Sequence, residues 1–303
     1  MLVMKFLVTG DNHVDFLRGA ESVAAVFSKR AASYGVDFSI NLGDMTNGRL
    51  WGTYRGLDKL LGSERDLYVL GNHDLWSPHA RSGRTIDKSF LDAIERLKDF
   101  PAIPLESSID DTDTVWTDES IGCTVIGTIG LPDFAHPRFV MPPEYYDKKH
   151  CTNDGTYIDM SKGWLIYTKR LLWSFNKRLS KALASQSKEI VIGTHYPILD
   201  GQYRLSGDDI SAYFFCYKIG QMVLEAAKSH PDKRFWCMAA HAHDYNRGVL
   251  VEEAPNVVSY GLVADYGWLA LAVFDTDLGF SQVPTFEWCP EKCKLDIRTV
   301  ESR

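Results

Sequence analysis

The chain has 303 residues, 45% hydrophobic and 24% charged, the balance of a globular protein and not of a disordered or fibrous one. Lys and Arg number 33 against 40 Asp and Glu, and the net charge of −7 argues against a protein that coats DNA or RNA. No segment approaches the roughly 20 consecutive apolar residues of a membrane span. The six cysteines (123, 151, 216, 237, 289 and 293) are scattered, so no disulfide framework is expected and the cytoplasm is the expected compartment. Cys289 and Cys293 have no further ligands close by and read as surface or loop thiols.

Taken in chain order, short apolar runs end repeatedly in polar clusters. Met1–Thr9 runs straight into Gly10-Asp11-Asn12-His13 and reads as a buried strand, with Lys5–Thr9 its core, not as a signal peptide. Further strand-length runs are Asp37–Leu42, Leu67–Leu70, Thr124–Ile129, Glu189–Ile192, Phe235–Ala239, Val257–Tyr260 and Leu269–Phe274. Helical spacing of apolar residues predicts helices over Leu17–Tyr34, Tyr54–Leu61 and Ile86–Leu97, a long one marked by Leu165, Leu172, Phe175, Leu179 and Leu183, and another over Ile210–Ala227. On the long helix, Lys169, Arg170, Lys177, Arg178 and Lys181 read as a solvated polar face. Strand–helix alternation in the first half predicts βαβ units with parallel pairing, and the shorter connections of the second half predict another sheet. The stretch 131–162 is rich in proline and aromatic residues, has no clear period, and reads as an insertion.

Five of the polar clusters carry chemistry: Asp11-Asn12-His13, Gly43-Asp44, Gly71-Asn72-His73-Asp74, His195, and His241-Ala242-His243. Each follows a strand-like run, where α/β sheets gather ligands. Five of the nine histidines fall inside them, which a solvated surface would not produce. Carboxylate, amide and imidazole donors without thiolate suit Mn, Fe, Zn or Ni. The donors outnumber the needs of one tetrahedral ion, which points to two divalent ions sharing a bridging carboxylate.

In this order the five motifs, spanning positions 11 to 243, resemble the calcineurin-like metallophosphoesterase superfamily. The resemblance implies an α/β fold in which a two-sheet β-sandwich is flanked by helices. It also implies a dinuclear centre that hydrolyses phosphate esters through a metal-bound hydroxide. By matched positions one ion takes Asp11, His13 and His243, with Asp44 bridging, and the other takes Asp44, Asn72, His195 and His241. His73 contacts the phosphate and helps protonate the leaving oxygen, and Asp74 orients His73 through a hydrogen bond.

Two departures narrow the resemblance. Ala240 stands where the last motif usually opens with Gly. Met45-Thr46-Asn47-Gly48-Arg49 lacks the Asp-Arg-Gly of the protein-phosphatase branch, and that branch ends its third motif in Glu where Asp74 stands here. No ligand tyrosine follows Asp44 as in the purple acid phosphatases. The region is closer to the cyclic-nucleotide phosphodiesterases, so the expected substrates are phosphodiesters such as cyclic nucleotides or nucleotide derivatives. The alternatives are a phosphomonoesterase and a non-catalytic scaffold. Candidate substrate contacts are Arg49, His79, Tyr196 and His136, with Arg138, Tyr145 and Tyr146 beside them in the insertion. The length suggests roughly two domains at about 150 residues each. Ligands from residue 11 to residue 243 must meet in one site, so one domain over 1–303 is expected instead.

Overall fold

The computed structural model describes residues 4–16, 24–25, 28–29, 31–46, 65–76, 85–138, 154, 164–204, 209–264, 266, 269–276, 282–289 and 294–301. The predicted helix Tyr54–Leu61, most of the 131–162 insertion and part of Leu17–Tyr34 lie outside them.

Among the described residues thirteen strands form two mixed sheets. The first contains β1 (Lys5–Gly10), β2 (Phe38–Asn41), β3 (Asp66–Tyr68), β4 (Ile103–Pro104), β11 (Ala270–Asp275), β12 (Gln282–Cys289) and β13 (Lys294–Glu301). Its order is β13-β12-β11-β1-β2-β3-β4, parallel from β1 to β4 and antiparallel from β1 outward through β11. The second contains β5 (Trp116–Asp118), β6 (Cys123–Thr128), β7 (Glu189–Thr194), β8 (Arg234–Ala239), β9 (Leu250–Ala254) and β10 (Val257–Gly261). It runs β5-β6-β7-β8-β10-β9, parallel from β6 through β10 with an antiparallel strand at each edge.

Side-chain alternation explains why the central strands read as continuous apolar runs. Phe6 and Val8 of β1, Ile40 of β2, Val125 of β6, Val191 of β7 and Trp236 of β8 pack between the sheets. Their neighbours Leu7, Ile126, Ile190, Ile192 and Phe235 belong to the cluster that includes the helices. Both faces of these strands are buried, as expected where helices cover parallel strands. The helices whose full span is described are α1 (Ile86–Leu97), α2 (Trp164–Ala184) and α3 (Tyr217–Ser229), and residues 24–25, 28–29 and 31–32 within the predicted Leu17–Tyr34 helix are also helical. Helix α1 starts at the Thr85 cap and buries Phe90, Ala93, Ile94 and Leu97.

The predicted helix Ile210–Ala227 is two pieces. A 3₁₀ segment, Asp209–Phe214, ends before α3. Between them the Cys216 N–H donates to the carbonyl of Pro197 at 2.9 Å, and an amide committed there cannot continue a helix.

Arg178 also departs from expectation. It is fully buried on the inner side of α2, not solvated. Its guanidinium donates to the carbonyl of Leu105 at 2.7 Å and to that of Gly127, and lies 3.6 Å from the Glu106 carboxylate. One cation thereby links residues next to β4 in the first sheet to β6 in the second. Burial pushes the Glu106 carboxyl up to about 7, against the pull of Arg178 and of the Ile129 amide that it accepts. Glu106→Gln leaves a buried cation uncompensated and is expected to lower the unfolding free energy by about 3–5 kcal/mol in urea titrations. The double variant Glu106→Met/Arg178→Met is expected to lose less than either single variant.

Candidate metal centre

The candidate ligands sit where parallel strands end. Asp11 and His13 follow β1, Asp44 follows β2, Asn72 and His73 follow β3, His195 follows β7, and His241 and His243 follow β8. To aim these side chains into one space the backbone leaves its ordinary range. Asp11 (φ 49°), His13 (38°), Asp44 (57°), His241 (66°) and His243 (49°) are five of the six described non-glycine residues with positive φ. Each such conformation costs on the order of 1–3 kcal/mol and persists only where the surroundings enforce it.

Backbone bonds do much of the enforcing. Asp11 N–H donates to the Gly43 carbonyl (2.9 Å) and His13 N–H to that of Asp44 (3.0 Å), extending the β1–β2 pairing into the loops. The β2 and β3 loops touch backbone to backbone. A Cβ on Gly43 (φ 93°) would lie 2.3 Å from the Gly71 nitrogen, and one on Gly71 would lie 2.0 Å from Asp44 Oδ1. Only glycine fits at either point.

Asp74 binds this junction together. Its Oδ2 accepts from Gly71 N (2.8 Å), Asp44 N (3.0 Å) and the Tyr68 hydroxyl (2.8 Å). Burial, and after it the Asp44 charge, pushes the Asp74 carboxyl up to about 7 despite these donors. The expected hydrogen bond from Asp74 to the His73 ring is not made, because the carboxylate is turned inward onto backbone amides. The His73 ring stacks instead on Trp76, with centroids 3.6 Å apart.

The side chains converge on Asp44. The His73 N–H fixes its Oδ1 at 2.9 Å. Its Oδ2 lies 3.3 Å from His195 Nε2 and 3.9 Å from both His13 Nε2 and His73 Nε2. On one side Asp11, His13 and His243 bring ligand atoms within 4.8 Å of one another, and on the other Asp44, His195 and His241 do the same. Asn72 Oδ1 joins the second group, 2.8 Å from His195 Nε2 and 3.1 Å from His241 Nδ1.

This arrangement fits cations better than it fits itself. Both oxygens of Asp11, both ring nitrogens of His13 and Nδ1 of His243 are buried without a hydrogen-bond partner, although buried polar groups are nearly always satisfied. Burial raises the Asp11 carboxyl pKa and holds the imidazoles of His13 and His241 well below their usual value, which leaves nitrogen lone pairs for a metal. Burial alone would raise Asp44 too, but the surrounding imidazoles, His195 first, hold it far below the carboxylate range.

His195 makes the point atom by atom. Its Nδ1 faces the Leu42 carbonyl at 2.7 Å, as donor. Nε2 then points at Asn72 Oδ1, an acceptor, since the Asn72 amide nitrogen is engaged by Asp154. Such an acceptor pair at 2.8 Å requires a proton or a cation between. Burial opposes that proton, but Asp44 holds the His195 pKa up to about 9.

A family model described as calcineurin-like phosphoesterase matches residues 4–243. The chain belongs to that family. It is a hydrolase of phosphate esters, and its His/Asp clusters are able to hold the dinuclear divalent centre that the family implies. A crystal structure of a dimetal phosphatase from Danio rerio is similar in fold, with a TM-score of 0.54 at 12% identity over 99% of both chains. A second solved structure has a TM-score of 0.47 at 11% identity over 98% of both. No curated protein sequence matches significantly.

The other candidate contacts of this phosphoesterase are placed differently. Tyr196 is buried, its ring 3.9 Å from that of His241. His136 is buried against Phe215 and Tyr217 and paired with Asp200 at 2.9 Å. Arg138 is exposed near the same Asp200. Arg49, His79, Tyr145 and Tyr146 lie outside the described residues. Ala240 is accommodated without positive φ, donating its N–H to the His195 carbonyl at 3.0 Å.

Several neighbours of the site went unnoticed in the sequence, among them Asp154, which accepts from Asn72, and Phe16 beside His13. Trp76 and Tyr68 flank the third motif. Tyr266 stacks on His243, centroids 4.7 Å apart, from a loop with no motif.

Gly71→Ala is expected to displace Asp44. Mn²⁺ at about 100-fold above its Kd is expected to stabilise the wild type by about 2.7 kcal/mol, and the variant to lose that rise in Tm while keeping its circular dichroism. Metal uptake at pH 7 is expected to release protons, His195 giving up its own. Calorimetry in buffers of different ionisation enthalpy reads that release directly.

Proposed function

We propose that this phosphoesterase hydrolyses phosphodiesters, cyclic nucleotides or nucleotide derivatives among them, at a centre of two divalent ions. The observation that carries the reading is Asp44 Oδ2, directed at imidazoles from both ligand groups while the side chains of Asp11 and His13 stand buried without hydrogen-bond partners beside it. Asp11, His13, His243 and Asp44 would hold one ion, and Asp44, Asn72, His195 and His241 the other; Mn, Fe, Zn and Ni all suit these donors. Bound there, divalent ions supply Lewis acidity and lower the pKa of water.

The chain's own groups supply the rest. His73 presents Nε2 at the edge of the site, 3.9 Å from Asp44 Oδ2, with its ring held by Trp76. From there it holds a proton at Nε2 and delivers it to the departing alcohol oxygen. Its backbone N–H orients Asp44 at the same time. Exposed rings of Phe16 and Tyr266, 5.1 Å apart beside His13, suit an organic group on the ester. Among the described residues no helix is long and apolar enough to cross a membrane. The free, buried thiols of Cys123, Cys216 and Cys237 support a reducing, cytoplasmic setting.

The test is hydrolysis of bis-p-nitrophenyl phosphate and p-nitrophenyl phosphate with added Mn²⁺. Turnover of both, with higher kcat/KM for the diester, is expected. The reverse ratio selects the phosphomonoesterase alternative, and no turnover with metal bound selects the scaffold. His73→Ala is expected to keep its metal and lose about 10²–10⁴-fold in kcat. Loss of metal in that variant would overturn the role given to His73.

A further inference from the structure

The segment between Arg138 and Trp164 reaches the centre through Asp154. This carboxylate is buried, and its Oδ1 accepts from Asn72 Nδ2 at 2.8 Å and from the Trp76 indole N–H at 2.7 Å. The consequence lies in the asymmetry of an amide, which has a donating end and an accepting end and can exchange them by a half-turn. A carboxylate only accepts. With Asp154 behind it, Asn72 must turn its nitrogen outward. Its Oδ1 then faces His195 Nε2 and His241 Nδ1. Turned the other way, Asn72 would aim two N–H groups at the space between those rings and repel a cation.

Resting on the metal-centre reading above, we propose that Asp154 is a positioning residue that locks Asn72 with Oδ1 inward. It thereby sets the divalent-cation affinity of the half-site formed by Asn72, His195 and His241. The same oxygen pins the indole that stacks on His73, so one side chain from the insertion holds the third motif at two points. Asp154 is therefore part of the site's frame.

The experiment is calorimetric titration of Mn²⁺ into the metal-stripped full chain. Wild type is expected to bind two ions. Asp154→Ala is expected to weaken one of them about 10- to 100-fold, the usual effect of losing a partner behind a metal ligand, and to spare the other. Asp154→Asn keeps an acceptor oxygen and should retain most of the affinity. A second comparison does not depend on the alanine variant folding. Compared in a Trp76→Phe background, where no indole N–H opposes a turned amide, Asn72→Asp alone sets two carboxylates against each other, whereas Asn72→Asp with Asp154→Asn restores a donor facing an acceptor and keeps an oxygen inward. The double variant is expected to bind more tightly than Asn72→Asp by at least about tenfold.

Unchanged affinities in Asp154→Ala, or equal weakening of both ions with a lower Tm of the stripped protein, would overturn the proposal. So would a double variant no better than Asn72→Asp. A wild type that binds no Mn²⁺ would instead overturn the metal-centre reading on which the proposal stands.

Discussion

Everything at the site depends on the contact between the β2 and β3 loops, where Gly43 and Gly71 meet backbone to backbone under the Asp74 carboxylate. That contact places Asp44 with one oxygen fixed by the His73 amide and the other directed at His195, His13 and His73. The second sheet is registered to it through His195, whose Nδ1 bonds the Leu42 carbonyl of the first. A carboxylate that would serve two ions, as proposed for Asp44, needs such a location. It must belong to one sheet, face ligands from both, and be unable to turn toward a hydrogen bond of its own. Asp74 secures this by absorbing the amides of Asp44 and Gly71.

Much of the architecture was legible because the central strands are buried on both faces. Burial turns each into an unbroken apolar run, and the run stops where the chain turns into the site. Asp11, Asp44, Asn72, His195 and His241 all announce themselves in this way, as polar residues directly after a buried strand. The strands β4, β5, β9, β12 and β13 were not seen, and of these β4, β5 and β9 are short and only partly buried, so neither a run nor an alternation stands out in them. The break in Ile210–Ala227 was hidden because helical periodicity continues through Cys216 although its amide bonds Pro197.

Arg178 and Asp74 show a different limit. Arg178 stands on the same stripe of α2 as Leu171 and Phe175, at helical spacing, so its position carried a signal of burial that its charge obscured. Its partners are two carbonyls and one carboxylate drawn from both sheets, and no local pattern reports them. Asp74 lies beside His73 in sequence, yet it turns to the amides beneath. Adjacency in a motif tells which residues act together, and the direction of a side chain is decided by which donors lie buried within reach.

Strain and unpaired polarity at the centre have one cause. A ligand set for cations must converge like charges and lone pairs in a dry space, which a chain left to itself avoids. Five residues therefore adopt positive φ, and Asp11 and His13 forgo hydrogen bonds. The frame must resist relaxation at each point where a ligand could turn away. For Asp44 the frame is the His73 amide, for His195 the Leu42 carbonyl, and for Asn72 the Asp154 carboxylate. Asn72 is the member that most needs such a partner, because its amide can swap donor and acceptor ends at little steric expense, whereas a carboxylate offers oxygen either way. The neutrality of Asn72 follows from the same arrangement. A second carboxylate there would face Asp154 at hydrogen-bond distance, while an amide joins the two and transmits the negative charge of Asp154 to the inner oxygen by polarisation.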